Sequence, residues 1–545
     1  MELSTYLCAK LNDILGMMAI SDRRYPVGIQ TFSRIRKEGM VYVDKTDLMW
    51  QAQHLSTYVF LSRPRRFGKS LLSTTFASFF RGEKELFEGL KVMELEKEWE
   101  TYPVIHLDLS TAKGEKTAKA LRASLSFILD PYVEKYDVSQ RLSPGKKLSK
   151  IISNAYVRTQ KQVVVIVDEY DAPLLDALHE QEKLSAFRSV MQEFYQPLKA
   201  SEAMIRFCFI TGITKFSQLS IFSTINNLNN ISMLPQFSAI CGITEEELTT
   251  VLSEDIALLA EAYEETPQQM HSRLKKRYDG YHFAEDSEDV YNPFSLFKAF
   301  MNKKISNYWF ETGTPSFLIW QMQHFRTDIT AMEDITAAAS AFDVPTEGMT
   351  NSLPLLYQAG YLTIKGFDRG SEFYTLSIPN QEVRIGFTEG LMPLYIGLEG
   401  NDVRVGFAYK FYKSLNENDI DLALREMQTY IASLPYVEGF KKKLDDVTKA
   451  EGFYEWTFYL VFSMLNVYVR TQVKTINGRA DMVVQMPGAI YVFELKINGT
   501  AKEALEQINS KGYAIPYQTD SRKVIKVGMR FSTETLAIED WEIAE

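Results

Sequence analysis

"RPRRFGKSLL", residues 63–72, stands where a short apolar run, "YVFLS" (58–62), gives way to a helix-forming stretch. Gly68, Lys69 and Ser70 occupy the last three fixed positions of the phosphate-binding pattern G-x-x-x-x-G-K-[ST]. Arg63 stands where that pattern has its first glycine. The physical logic survives the change. Backbone N–H groups at a helix N-terminus form an anion site. Lys69 is placed to reach the β- and γ-phosphates, and Ser70 to take Mg2+. Arg65, Arg66, Phe67 and Leu71 are the remaining loop contacts expected for the nucleotide, the two arginines adding positive charge unless they simply lie exposed.

Downstream, "VVVIVDEYDAP" (163–173) is a β-branched strand that delivers Asp168 and Glu169 at its carboxyl end. In a nucleotide site Asp168 would hold the metal and Glu169 would polarise the attacking water; the plainer reading is two solvated acids at a strand end. "IRFCFIT" (205–211) is a further strand, and Thr211 at its end is the expected γ-phosphate sensor. With "YVFLS" and "PVIHLDL" (103–109), these strands alternate with helical stretches, most of them as nearly continuous apolar runs. That pattern predicts a parallel, doubly wound α/β sheet covered on both faces. Ligands in such sheets bind beyond the carboxyl ends of the strands, where these polar residues fall.

The pattern turns helical from 243 to 340, opening on "ITEEEL" with Thr244 as N-cap and Glu247 at the capping-box position. Between 341 and 440, "LPLLYQAGYLTIKGFDRGSEFYTLSIP" reads as a helix and then a hairpin turning at "DRGS". A winged helix and a small packing domain both fit. The expected division is therefore 1–242 (P-loop domain), 243–340 (helical lid), 341–440 (winged-helix-like or helical linker) and 441–545 (mixed α/β).

The 545 residues are 46% hydrophobic and 24% charged, as in an ordinary globular chain. The net charge of −10 argues against a protein that binds nucleic acid over its whole surface. Three scattered cysteines, Cys8, Cys208 and Cys241, form neither a metal-ligand spacing nor a disulfide framework, which fits a reducing cytoplasm. No stretch has the length of a membrane span, and the N-terminal twenty residues read as an amphipathic helix rather than a signal peptide.

"GRADMVVQMPGAIYVFELKI" (478–497) is a hairpin with charge in it. Strand side chains alternate faces, so Val492, Glu494 and Lys496 share one face while Tyr491, Phe493, Leu495 and Ile497 form a wholly apolar one. A turn centred on Pro487–Gly488 places Asp481 directly opposite Glu494. Like charges so opposed are destabilising and need a cation. Lys496 is one candidate; the other is a divalent metal, and carboxylate oxygens suit Mg2+ or Mn2+. No histidine follows residue 325, which leaves carboxylate–lysine chemistry as the natural option there.

The chain resembles the bacterial and archaeal AAA-ATPase-like proteins, relatives of the archaeal-type P-loop ATPases of the signal-transducing class. The resemblance is carried by "GIQTFSRIRKEGMVYVDKT" (28–46), "FLSRPRRFGKSLL" (60–72), "VIVDEYDAPL" (165–174), "TGITKFSQLSIFSTINNL" (211–228), "YDGYHF" (278–283), "VYNPFSL" (290–296) and "NYWFETGTPSFLI" (307–319). In that family an arginine at the position of Arg63 is usual. The resemblance also implies a C-terminal, restriction-endonuclease-like domain of the PD-(D/E)XK superfamily, matched by "GRAD…FELK…ALEQINSKGYA" with Ala480 in place of the motif's proline. It implies Asp481, Glu494 and Lys496 as the catalytic set, with Asp481 and Glu494 on the metal. It adds Gln507 on the following helix, and Glu451, with Glu455 as its alternative, on the preceding one.

The leading expectation is an ATP-binding, ATP-hydrolysing protein coupled to a Mg2+- or Mn2+-dependent nuclease acting on DNA rather than RNA, with no membrane partner and with an oligomer compatible. The alternative is a nucleotide-dependent switch or scaffold with an inactive nuclease fold. An ATP-driven protein remodeller is weaker, since no substrate-threading loop is recognisable.

Overall fold

β1 (Tyr58–Ser62) and β3 (Val163–Asp168) are buried at every position, as parallel strands covered on both faces must be. The computed structural model describes residues 23–215, 228–311, 334–344, 349–387, 410–432, 468–475, 478–532 and 537–545, with a few isolated positions besides and single omissions at 176, 179, 412, 416, 418, 487 and 498. The chain divides into two units, one of residues 1–327 and 334–380, the other of 328–333 and 381–545.

In the first unit β1 and β3 join β2 (Val104–Asp108), β4 (Ile205–Gly212) and β5 (Asn229–Asn230) in a parallel sheet of order β2-β3-β4-β1-β5. β4 therefore lies between the strand that feeds the phosphate loop and the strand that carries Asp168. The carboxyl ends of β1, β4 and β3 bring Arg63, Ile213 and Glu169 to one edge. Helices Lys69–Phe80, Ala118–Lys135 and Pro144–Thr159 pack on the sheet. This is the P-loop α/β fold that alternating apolar runs predict.

Helices Glu245–Val251, Ser253–Ala262, Pro267–Tyr278 and Pro293–Asn302 follow and share one apolar core, with Leu248, Ile256, Met270 and Leu296 inside it. The first begins with the expected capping box: the Glu247 N–H donates to the Thr244 hydroxyl, and the Glu247 carboxylate accepts from the Thr244 N–H. Tyr25 and Val27 pack against the same core, which anchors the segment before the sheet on these helices. β6 (Ile243–Thr244) and β7 (Val290–Tyr291) pair antiparallel beside it.

A third sheet, β8 (Ile335–Ala338), β9 (Thr363–Asp368) and β10 (Phe373–Ser377), has the order β8-β10-β9. Its β9–β10 hairpin follows helix Leu353–Gln358, as the sequence implies. Asp368 folds the turn by accepting from the Gly370 N–H at 2.9 Å and the Ser371 hydroxyl at 2.8 Å.

Asp279, in "YDGYHF", is buried at the end of helix Pro267–Tyr278 with Lys275 3.9 Å away. Burial pushes its carboxyl up to about 6, with Asp289 adding repulsion and the Gly280 N–H and Lys275 opposing. A raised carboxyl adds stability only below its unfolded value, and that stability is lost as pH rises through about 6. Asp279→Asn is therefore expected to raise stability at pH 7.5 by about 2 kcal/mol. The gain should vanish below about pH 4 in thermal denaturation followed across pH.

In the second unit, β11 (Tyr468–Thr475), β12 (Gly478–Gln485), β13 (Ala489–Ile497), β14 (Lys523–Ser532) and β15 (Ala537–Ala544) form a sheet in sequence order, parallel only between β13 and β14. Helix Ala501–Lys511 makes the crossover that a parallel pair requires. β13 is buried on both faces. Tyr491, Phe493 and Leu495 meet Leu415, Leu424 and Met427 on one side, while Ile490 and Val492 meet Ile508 and Tyr513 on the other.

Candidate functional site

Gly68 ends the phosphate loop in the left-handed region at φ +95°, a conformation only glycine adopts without strain, and so opens helix Lys69–Phe80. Lys69 is turned back into its own loop. Its ammonium donates to the carbonyls of Arg63 and Pro64, each at 2.9 Å. Burial lowers the Lys69 pKa, against the pull of Glu169 and Asp168. Asp168 is buried at the end of β3, and burial pushes its carboxyl up to about 6, with the Ser70 hydroxyl and Lys69 opposing. Glu169 follows in a left-handed turn at φ +48° and is also raised by burial. Lys69, Ser70, Asp168 and Glu169 thus come together as the sequence implies.

Arg63 has a different task from the glycine it replaces. Its side chain is 2% exposed and runs into the interior. The guanidinium donates to the carbonyls of Ser62 (3.0 Å), Ser232 (2.7 Å), Phe237 (3.0 Å) and Ser238 (3.4 Å), and lies 4.2 Å from the centroid of the Phe283 ring. Phe67 is buried beneath the loop, edge-on to Tyr281 at 4.7 Å and to Phe283 at 5.4 Å. The aromatics of "YDGYHF" are therefore the bed of the phosphate loop. Trp309 adds a donor from its indole N–H to the Arg65 carbonyl at 3.2 Å.

An open cavity of about 410 Å³ lies over the loop. Arg65, Arg66, Gly68, Lys69, Ser70 and Leu71 line it, together with Glu169. The turn at Pro26–Gln30 and the first turn of helix Pro293–Asn302 also line it, and neither is singled out by its residue chemistry. Their one signal is membership in ordered sequence blocks, because apolar side chains and backbone announce no chemistry. Thr211 is fully buried and donates its hydroxyl to the Leu61 carbonyl at 2.7 Å; Ile213, two residues on, lines the cavity. Sequence reasoning also passes over Asp171. Its carboxylate accepts from the N–H of Ile213 (3.0 Å), the N–H of Thr214 (2.7 Å) and the Thr214 hydroxyl (2.7 Å), tying the acidic loop to the end of β4. The next residue, Lys215, pairs with Asp343, and its N–H donates to Gln358 at 2.7 Å, so the tie extends to helix Leu353–Gln358 and to the end of helix Ala339–Phe342.

The second site lies on β12 and β13. The pairs Met482–Phe493, Val483–Val492, Val484–Tyr491 and Gln485–Ile490 have the register expected from a turn at 487–488, and the Met486 N–H closes that turn on the Ala489 carbonyl at 2.8 Å. Asp481 lies one step past the last pair, level with Glu494. There its carboxylate, rather than a backbone carbonyl, accepts from the Leu495 N–H at 2.7 Å. Glu494 is 2% exposed and accepts from the Gln507 side-chain amide. The Lys496 ammonium donates to the Gln507 carbonyl oxygen at 2.6 Å and stands 3.8 Å from Glu494. Asp481, Glu494, Lys496 and Gln507 are thus gathered, with Gln507 as the bridge between acid and base. Glu451, and the helix proposed for it, lie outside the described residues.

Gly528 makes this approach possible. It sits beside Glu494 in the parallel register, and a Cβ there would meet the Ala501 carbonyl oxygen at 2.3 Å and the Leu505 nitrogen at 2.6 Å. Backbone atoms cannot swing aside as side chains can. Gly528→Ala is therefore expected to lift helix Ala501–Lys511 from the sheet, cost about 1–3 kcal/mol, and draw Gln507 off Glu494. Denaturant titration would register the stability loss.

Among the described residues no helix is long and apolar enough to cross a membrane. Family models match in two places: "Predicted AAA-ATPase" over residues 26–222 and "PD-(D/E)XK nuclease superfamily" over residues 449–541. A protein of Azotobacter chroococcum mcd 1, described as "Uncharacterized protein in vnfD 5'region", is 33% identical over 528 residues, covering 95% of this chain and 98% of its own length. Solved structures similar in part are Drosophila ORC bound to poly(dA/dT) DNA and Cdc6 (11% identity, TM-score 0.21, 79% of this chain and 62% of that one) and Drosophila ORC bound to GC-rich DNA and Cdc6 (13% identity, TM-score 0.21, 84% and 72%). At that TM-score the likeness carries no argument. The chain belongs to the family of AAA-ATPase-like proteins that carry a C-terminal domain of the PD-(D/E)XK nuclease superfamily.

Proposed function

We propose that the protein binds and hydrolyses ATP at the P-loop and cleaves nucleic acid, DNA rather than RNA, at the site on β12 and β13, with nucleotide state controlling cleavage. The observation that carries the reading is the convergence of Asp481, Glu494, Lys496 and Gln507 where β12 and β13 part. Two carboxylates offer oxygen donors suited to a hard divalent cation, so Asp481 and Glu494 would hold Mg2+ or Mn2+. Such an ion, when bound, supplies an activated water and charge neutralisation at the phosphate. Lys496 sets a cation beside the scissile group, Gln507 holds Lys496 and Glu494 in fixed relation, and Glu451 is the proposed further acid.

At the nucleotide site Lys69 exchanges the carbonyls of Arg63 and Pro64 for the β- and γ-phosphates. Ser70 and Asp168 form a hydroxyl–carboxylate pair fitted to Mg2+, and Glu169 orients the attacking water. Thr211 is the proposed γ-phosphate sensor, acting through the strand end it anchors on Leu61.

The test is cleavage of plasmid by the purified protein with Mg2+ or Mn2+, with and without ATP, against Asp481→Ala and Lys496→Ala. Equal cleavage by all three proteins would sink the site assignment. Lys69→Ala is expected to abolish ATP binding in equilibrium titration. A second reading, a nucleotide-dependent switch with an inactive nuclease fold, draws support from the way Glu494 already accepts from the Gln507 amide, with the Lys496 ammonium 3.8 Å away. It requires ATP binding with no cleavage in any metal.

A further inference from the structure

Arg66, the last of the loop's three arginines, has an unusual resting place. Arg66 is held at φ +68°, and its guanidinium lies 4.7 Å from the centroid of the Phe294 ring. Phe294 belongs to the first turn of helix Pro293–Asn302, far from the loop in sequence, and packs against the core of the helical region. Both residues line the 410 Å³ cavity, as does the turn at Pro26–Gln30. A smaller recess of about 80 Å³ shares Pro26, Leu71 and Phe297 with that cavity and is walled mostly by apolar side chains, with Lys45 and Thr75 among them.

The cavity is lined both by charged and polar side chains, Lys69, Ser70 and Glu169 among them, and by the apolar and aromatic side chains of Pro26, Leu71, Phe294 and Phe297. A nucleotide joins the same two chemistries, charged phosphates and a flat, weakly polar base. A guanidinium is flat as well, and stacks on aromatic faces as a base does.

We infer that Phe294 is the stacking platform for the nucleobase, and that Arg66 covers it as a placeholder until nucleotide arrives. The inference rests on the nucleotide reading above and deepens it. On binding, the base takes the ring face and the displaced guanidinium turns to the phosphates. The exchange keeps the apolar ring covered in both states. It also couples occupation of the base position to completion of the phosphate site, because a single side chain serves in turn at each.

The test separates base from phosphate. Affinities of the full chain for ATP and for inorganic tripolyphosphate are measured by calorimetry with Mg2+, for wild type, Phe294→Ala, Phe294→Trp and Arg66→Ala. Stacking of one base on one ring is worth enough to predict about a tenfold loss of ATP affinity in Phe294→Ala. Tripolyphosphate affinity should stay within about twofold, which also shows that the variant is folded at its loop. Phe294→Trp should retain ATP binding, and Arg66→Ala should weaken both ligands. Unchanged ATP affinity in Phe294→Ala, or parallel loss of both ligands, would overturn the platform. Unchanged tripolyphosphate affinity in Arg66→Ala would overturn the exchange. If wild type binds neither ligand, the nucleotide reading itself fails and takes this inference with it.

Discussion

Arg63→Gly, the substitution that writes the missing first glycine into the P-loop, is expected to destabilise the first unit by about 3–5 kcal/mol and to abolish ATP binding. Motif matching alone predicts the reverse, since the variant fits the phosphate-binding pattern better. The structure explains the difference. Arg63 is a fully enclosed cation held by four backbone carbonyls and one aromatic face. Burial lowers its pKa to about 10, which leaves it charged at neutral pH. Removing it takes a donor from carbonyls on three separate segments, at residues 62, 232 and 237–238, and opens a cavity beneath the loop. The Arg63 and Pro64 carbonyls that seat Lys69 lose their support with it. Denaturant unfolding and ATP titration measure the two effects. A variant of unchanged stability that binds ATP more tightly would refute the role assigned to Arg63.

The largest expected effect on activity is at Lys496. Lys496→Ala should lower metal-dependent cleavage about 10²–10³-fold, the loss usual when one fixed group that stabilises developing charge is removed. Stability should change by less than about 1 kcal/mol, because the lysine side chain is 31% exposed and its pairing with Glu494 is long. Nucleic-acid binding should persist in a filter or mobility assay, since a single surface cation contributes only part of the contact with phosphates. Gln507→Ala is expected to give a smaller loss of cleavage, because it releases Lys496 and Glu494 without deleting either. Cleavage by Lys496→Ala at the wild-type rate would remove the lysine from the site.

Much of this architecture is legible in the chain because it is decided locally. β1 and β3 announce themselves as buried apolar runs, and the carboxyl ends where Lys69, Asp168 and Glu169 cluster follow from the alternation of strand and helix. The helix at Glu245 begins where its capping box says it must. The β12–β13 register follows from a two-residue turn and a period of two, so Asp481 and Glu494 come level without reference to the rest of the molecule. Chemistry written in charged residue types at fixed spacing is readable for the same reason.

Tertiary structure alone decides where side chains go when their partners are remote in the chain. Arg63 and Phe67 read as loop residues, yet both point inward, onto "YDGYHF" and the segment after β5. Part of the lining of the cavity over the P-loop comes from Pro26–Gln30 and Phe294, which carry no chemical signature of their own. Gly528 looks like an ordinary strand residue until the crossover helix is laid on it. The sequence by itself determined the elements, the P-loop and the pairing of acids on the hairpin, because backbone periodicity and turn geometry act over a few residues. Which cation holds the loop, which ring faces the cavity and which glycine admits Gln507 to Glu494 were decided by packing between segments that no local pattern relates.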